Sequence, residues 1–356
     1  MTSQCSRRPR RPRAVPHAGG GAQLRHQPRR APHLSQERRH AHDARLRRSI
    51  ASTNIRESRR MTEYLMDKIT NYSKDGHKII WGDALSILDE AIEDASIHLI
   101  FADPPYNIGK RFGNFVDRWE SDVAYAKWCE RWLEICIRKL RPDGSIYVMS
   151  STQAMPYIDL FLRERLTILS RIVWHYDSSG VQAKKYYGSL YEPILYAVKD
   201  PRKYTFNSED IAIEARTGAV RKLIDYRKPE PTQYSTKKVP GNVWYFPRVR
   251  YRMDEYEEHP AQKPEALLER IILASSNAGD IVLDPFAGTF TTCAVAKRLG
   301  RLSVGIEINF DYVKIGIRRL GIAEEINGEP LSKPTKTYIR RNGDKQKSQT
   351  IDREIR

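Results

Sequence analysis

One tetrapeptide of the chain combines an acid, a stiff backbone and an aromatic ring: Asp103-Pro104-Pro105-Tyr106. Two successive prolines remove two N–H donors and hold the backbone extended. The Pro104 carbonyl is then free to accept a hydrogen bond from a ligand, and the Asp103 carboxylate supplies a second acceptor beside it. Tyr106 adds a flat face for stacking. Two acceptors and a stacking face suit an aromatic amine, such as the exocyclic NH2 of a nucleobase. A lone Asp-Pro-Pro is more often a strand-ending turn with an Asp cap. Here it follows the apolar run Ile97–Ala102 (IHLIFA), and a second motif accompanies it.

That second motif is Asp284-Pro285-Phe286-Ala287-Gly288-Thr289-Phe290-Thr291-Thr292, placed between the apolar run DIVL and a helical pattern. Ala287 and Gly288 let a ligand approach the backbone closely. The helix start can face an anionic group such as a carboxylate. The loop is not GxGxxG, which disfavours a dinucleotide pyrophosphate site and, with it, a nicotinamide oxidoreductase. Glu307 closes the run LSVGIE, where a strand-end acid suits ribose hydroxyls. Gly82-Asp83-Ala84 follows KIIW. Asp83 alone reads as a helix N-cap and gains meaning only if its strand neighbours the other two.

These loops need strands to carry them. Short apolar runs alternate with amphipathic stretches, the pattern of an α/β fold. Strands are expected over 78–82, 97–102, 145–150, 166–175, 194–198, 280–283 and 302–306. Helices are expected over 84–92, 123–140, 155–165, 264–276, 291–299 and 311–320, with Pro264 in the first turn of its helix. Trp128, Trp132, Ile135 and Lys139 recur on one face of the second helix. Uninterrupted apolar strands fit a mostly parallel sheet with helices on both faces, and ligands then gather at the strands' carboxyl ends. The stretch 204–258 breaks the rhythm. It interleaves Lys237, Lys238, Arg248 and Arg250 with Tyr226, Tyr234, Trp244, Tyr245, Phe246, Tyr251 and Tyr256, and reads as an insertion or small subdomain.

The ends differ from this middle. The 356 residues carry a net charge of +17. Residues 1–60 hold 16 Arg, no Lys and three acids, a net +13, so the other 296 residues carry only +4 from 45 bases and 41 acids. Three readings compete for residues 1–60: a nucleic-acid-binding tail, an organelle transit peptide without the amphipathic pattern of one, or a segment upstream of a natural start at Met61. Sixteen Arg without a Lys fit a G/C-rich reading frame, so the third is preferred. Such a segment cannot bury a core and is expected to be disordered. Residues 322–356 read as a polar C-terminal tail, leaving 61–321 as the catalytic domain. No run reaches the roughly 18 apolar residues of a membrane span. Cys5, Cys129, Cys136 and Cys293 form no CxxC pair, which argues against a zinc site or a disulfide framework and for a reducing, intracellular setting. No metal is expected.

Together the DPPY and DPFAG motifs and the strand-end acid resemble the S-adenosylmethionine-dependent amino-methyltransferases of DNA, which modify adenine N6 or cytosine N4. DPPY precedes DPFAG, as in the circularly permuted beta group. The resemblance covers about residues 76–320 and extends to ADPPYNIGK, RIVWHYDSSGVQAKK, KVPGNVWYFPRVRY, HPAQKPEALLERII and RIILASSN, segments similar to a bacterial adenine-N6 subgroup. It implies a Rossmann-like methyltransferase fold in which 78–82, 97–102, 280–283 and 302–306 form the third, fourth, first and second strands, with 204–258 as a target-recognition insertion.

The resemblance also implies roles. Asp103, Pro104, Pro105 and Tyr106 would be catalytic. Asp284, Pro285, Phe286, Ala287 and Gly288 would flank the cofactor's methionine part, Glu307 its ribose, Asp83 its adenine edge and Lys263 its carboxylate. Lys237, Lys238, Arg248 and Arg250 would contact DNA. The expected partner is double-stranded DNA, with a homodimer as in some relatives and with nucleoid association in a bacterial cytoplasm. An Asp heading the motif favours adenine; relatives acting on cytosine more often carry Ser. The alternatives are cytosine-N4 methylation, RNA base methylation, or nucleic-acid binding with an idle pocket.

Overall fold

The computed structural model describes residues 70–331 apart from 114, 177–183, 186, 216–221 and 228. Residues 1–60 and most of the expected tail lie outside the described residues, as does the middle of the RIVWHYDSSGVQAKK segment. Within the described residues the apolar runs form a nine-stranded sheet. In chain order its strands are β1 (Asn71–Lys74), β2 (His77–Trp81), β3 (Ile97–Ala102), β4 (Leu140–Met149), β5 (Thr167–His175), β6 (Tyr191–Val198), β7 (Val243–Tyr245), β8 (Ile281–Asp284) and β9 (Leu302–Glu307). Their spatial order is β1-β2-β9-β8-β3-β4-β6-β5-β7. β1 is antiparallel to β2, β6 is antiparallel to both of its neighbours, and the other adjacent pairs are parallel.

The order of the four central strands is the one a permuted methyltransferase sheet requires. β8 and β9 come late in the chain yet insert between β2 and β3, pairing β8 with β3 through Val282 and Leu283, and β9 with β2 from Ser303 to Glu307. All four run in one direction. The acids at or just beyond their carboxyl ends, Asp83, Glu307, Asp284 and Asp103, therefore gather on one rim of the sheet.

Among the described residues six helices cover the two faces: α1 (Ala84–Ala91), α2 (Asp122–Lys139), α3 (Met155–Arg163), α4 (Glu265–Ser275), α5 (Thr291–Arg298) and α6 (Phe310–Leu320). Alternation along β3 assigns the faces. Ile100 and Ala102 join Leu88, Trp132, Leu133, Ile158 and Leu162, the core under α1, α2 and α3. Leu99 and Phe101 join Leu267, Ile271, Val295 and Ala296 under α4 and α5. The helix after β3 thus lies on the opposite face from the helix after β8, which opens a crevice between the two strand ends. α2 is well stopped at both ends. Ser121 Oγ accepts the Ala124 N–H at 3.1 Å, and Asp122 and Arg138/Lys139 complement the helix dipole.

Four features depart from the expectations. β1 extends the sheet upstream of residue 76. β7 is a parallel edge strand of the main sheet, so 204–258 is not a separate subdomain throughout: Trp244 is buried, and Arg270 stacks 4.6 Å from the Phe246 ring. Residues 322–331 are not wholly solvated. Glu325–Ile326 pairs with Glu329–Pro330, and Ile322, Ile326 and Leu331 pack on the cluster around Phe290. Pro264 is the N-cap of α4, with ψ of 140°, because its extended ψ places it just outside the first turn.

Candidate active site

A cavity of about 460 Å³ opens at the rim where β2, β9, β8 and β3 end, a size that suits a small-molecule ligand. Its lining includes every residue expected to be catalytic or to hold the cofactor: Asp83, Asp103–Tyr106, Lys263, Asp284–Gly288 and Glu307. Two corners can be distinguished, one built on β3 and one on β8 and β9.

At the β3 corner the two prolines have different fates. The Pro105 carbonyl accepts the Tyr125 hydroxyl from α2 at 2.7 Å. Among the described residues no hydrogen bond engages the Pro104 carbonyl. Asp103 Oδ1 accepts the Tyr106 hydroxyl at 2.6 Å, and Asp103 Oδ2 accepts Lys263 Nζ at 2.5 Å. Glu192 on β6 stands across from them, with Oε2 at 3.1 Å from the Tyr106 hydroxyl and 3.7 Å from Lys263 Nζ. Burial pushes the Asp103 carboxyl up while Lys263 pulls it back. Burial lowers Lys263, but the Asp103 and Glu192 carboxylates outweigh it, so the ammonium is favoured. The loop after the motif is tied down by Asp117, a buried carboxylate that accepts the backbone N–H groups of Tyr106 (3.1 Å) and Lys110.

Lys263 lines the cavity, with its ammonium engaged by Asp103 and Glu192. A buried cation settles where two buried anions need it.

At the second corner, Asp284 Oδ1 accepts the Phe286 N–H at 3.0 Å, and Oδ2 accepts the Thr292 hydroxyl at 2.5 Å. Glu307 accepts the N–H groups of Gly288 and Asn309, each at 2.8 Å. Burial pushes both carboxyls up to about 7. Gly288 has φ +50°, a backbone conformation that favours glycine, and a Cβ there would crowd His259 Nε2 at 3.3 Å. His259 accepts the Ala261 N–H at Nδ1 (3.1 Å). Burial, reinforced by Lys263 and Lys110, lowers its pKa to about 3, which keeps the ring neutral with its proton on Nε2. Arg319 of α6 braces the loop from beneath, donating to the Thr289 carbonyl and the Thr291 hydroxyl at 3.0 Å each. Asp83 caps α1, its Oδ2 accepting the Ser86 N–H at 3.2 Å, and also lines the cavity.

The four basic residues expected on DNA do not converge. Arg248 reaches the cavity, its guanidinium 5.0 Å from the Tyr176 ring centroid. The Arg250 N–H contacts Met253 Sδ. Lys237 and Lys238 are exposed on a two-residue ladder with Glu214 and Ile213, outside the cavity lining. Sequence reasoning missed Glu192, Asp117, Tyr125 and Arg319. None stands in a motif, and only the folded sheet brings Glu192, 86 positions from Tyr106, to the corner.

Comparison with known proteins agrees with this geometry. The sequence model of the N6/N4 DNA methylases matches residues 97–318. The chain is 58% identical over 267 residues to the DNA adenine methyltransferase YhdJ of Escherichia coli (strain K12), covering 75% of this chain and 90% of that protein. It is 38% identical over 253 residues to the Type II methyltransferase M.HpaI of Haemophilus parainfluenzae, covering 70% and 76%. The PvuII DNA methyltransferase (cytosine-N4-specific) aligns at a TM-score of 0.50 and 19% identity over 73% of this chain and 90% of its own, a likeness of fold.

Proposed function

The chain belongs to the N6/N4 family of DNA methylases, and from that premise we propose that it moves a methyl group from S-adenosylmethionine to the exocyclic N6 of an adenine flipped out of double-stranded DNA. The observation that carries the reading is the pair of acceptors at the end of β3: the Asp103 carboxylate and a Pro104 carbonyl without a partner among the described residues.

The second corner fits the cofactor. The Gly288 loop lines the cavity beside Asp284 and Glu307, buried carboxylates suited to hydroxyl and amine donors. Phe286 and the Asp284–Gly288 loop would flank the methionine part, Glu307 would take the ribose and Asp83 the adenine edge. S-adenosylmethionine supplies a methyl group already activated toward displacement.

The chain's own residues deal with the nucleophile. The N6 lone pair is delocalised into the adenine ring. Hydrogen bonds from N6 to Asp103 and to the Pro104 carbonyl draw the nitrogen toward tetrahedral geometry and stabilise the positive charge it acquires. Asp103 accepts the proton the amine then loses. Extruding the base costs a few kcal/mol, which stacking on Tyr106 partly offsets. Arg248, which lines the cavity, would meet the DNA phosphates beside the flipped base.

Among the described residues no helix is long and apolar enough to cross a membrane. We place the enzyme in a bacterial cytoplasm on nucleoid DNA, with a homodimer as its assembly. A role in restriction–modification accords with the Type II relative. Nucleoside mass analysis of duplex DNA incubated with enzyme and S-adenosylmethionine tests the reading. N6-methyladenine is expected. N4-methylcytosine alone, product on RNA only, or no product would overturn it in favour of the cytosine, RNA or idle-pocket reading respectively.

A further inference from the structure

Asp103 and Lys263, taken alone, would present a neutral pair to the incoming amine. An acceptor already matched by an ammonium at 2.5 Å has little attraction left for a second positive charge. The structure adds a third charged group. Glu192 lies 3.7 Å from the same ammonium and is held by the hydroxyls of Tyr106 (3.1 Å) and Tyr176 (3.4 Å). Its side chain is 15% exposed, compared with 16% for Asp103 and 9% for Lys263, so all three charges act with little water between them. Lys110 and Arg248 line the same cavity and act on these groups at longer range, but among the described residues neither makes an ion pair within 4.0 Å, so Lys263 is the cation in direct contact with the two carboxylates. The Tyr106 hydroxyl has one proton to donate and touches both carboxylates, which ties their orientations together.

We propose that Glu192 is a positioning residue of methyl transfer: by sharing Lys263 and the Tyr106 hydroxyl with Asp103, it leaves the contacting Asp103–Lys263–Glu192 triad one surplus negative charge where the adenine amine becomes positive. This rests on the adenine-methylation reading above. Glu192 acts through Lys263 and Tyr106 and need not touch the base. Its effect belongs to the transfer step, since the charge it opposes forms only there.

The test is single-turnover methylation of duplex DNA by wild type, E192Q, E192D and the double variant E192Q/K263Q. Equilibrium S-adenosylmethionine affinity is measured for each by calorimetry. E192Q keeps the shape and loses the charge; it should slow transfer about 10- to 100-fold while the KM for DNA and the cofactor affinity change by less than about threefold. E192D, which keeps the charge, should recover most of the rate. Adding K263Q to E192Q restores the surplus charge and should raise the rate above that of E192Q alone. Wild-type speed in E192Q, equal rates in E192Q and E192D, a double variant slower than E192Q, or a cofactor affinity that falls in step with the rate would each overturn the proposal. The wild-type product keeps the two readings apart. Absence of N6-methyladenine from it removes the adenine assignment, whereas N6-methyladenine made equally well by E192Q removes only the role of Glu192.

Discussion

Lys263 Nζ lies 2.5 Å from Asp103 Oδ2, across 160 positions of the chain. The pair joins the segment before α4 to the end of β3, so the loop leading toward the cofactor corner is anchored on the acceptor corner. Removing Asp103 takes away an acceptor for the amine and leaves Lys263 to Glu192 alone. Asp103→Ala should slow methyl transfer by at least about 100-fold, with S-adenosylmethionine binding still measurable. Rapid-quench kinetics and calorimetry on one preparation check both halves.

Glu307 gives a pH signature. Burial raises its pKa in the folded chain from 4.5 to about 7. A raised carboxyl contributes stability that is present below its unfolded pKa and is lost as pH rises through its folded pKa. Relative to Glu307→Gln, the wild type without cofactor should therefore lose stability between about pH 4.5 and pH 7, by on the order of 3 kcal/mol. Chemical melts of both proteins across that range measure the difference.

The Phe290 ring fills a slot between Gly305 of β9 and Gly316 of α6. A Cβ on Gly305 would come 2.6 Å from a ring atom, and one on Gly316 would come closer still. Phe290 itself is fully buried, so the ring has no room to yield. Gly316→Ala should destabilise the fold by about 1–3 kcal/mol. In a Phe290→Ala background the same substitution should cost less, because the two sites share one volume. Urea unfolding of the four proteins in this cycle tests the coupling.

Of the basic residues proposed to contact DNA, Arg248 lines the cavity and Arg250 lies two positions further along the chain. If both neutralise phosphates, their joint replacement by Ala should reduce the slope of log K against log salt by about 1–2 for duplex DNA. Lys237→Ala with Lys238→Ala, on the outlying ladder, serves as the comparison. Fluorescence anisotropy over a salt series measures both. An unchanged slope in the arginine pair would assign DNA contact elsewhere.

Much of the sheet was legible because its strands are apolar and short. IHLIFA occupies the predicted span, and the other six expected strands are present with shifted ends. β4 begins at Leu140 and not at Ser145, since the α2 C-cap is already extended and pairs with Ile97. β7 was missed because three residues inside a basic, aromatic stretch carry no period. They are held by a parallel register with Val173, Trp174 and His175. Asp83, Asp103 and Asp284 were legible because each follows or ends an apolar run beside a Pro or Gly, and Glu307 because it closes the run LSVGIE. The pairing of Lys263 with Asp103 and Glu192 was not legible for the opposite reason: a side chain's partner depends on the charges folded around it, and Glu192 lies in an ordinary strand.

The permuted order of the sheet also bears on how the chain reaches its native state. β2 and β3 leave the ribosome early, but the strands that fit between them, β8 and β9, are made only near residues 281–307. Until then the inner edges of β2 and β3 lack their partners, and the most buried part of the molecule stays open during synthesis. Pairings between such distant segments form slowly and expose sticky edges meanwhile. The same insertion that sets Asp103 beside Asp284 therefore makes folding largely post-translational. Fragments ending before β9 should be aggregation-prone, and the intact chain should depend on chaperones at high expression.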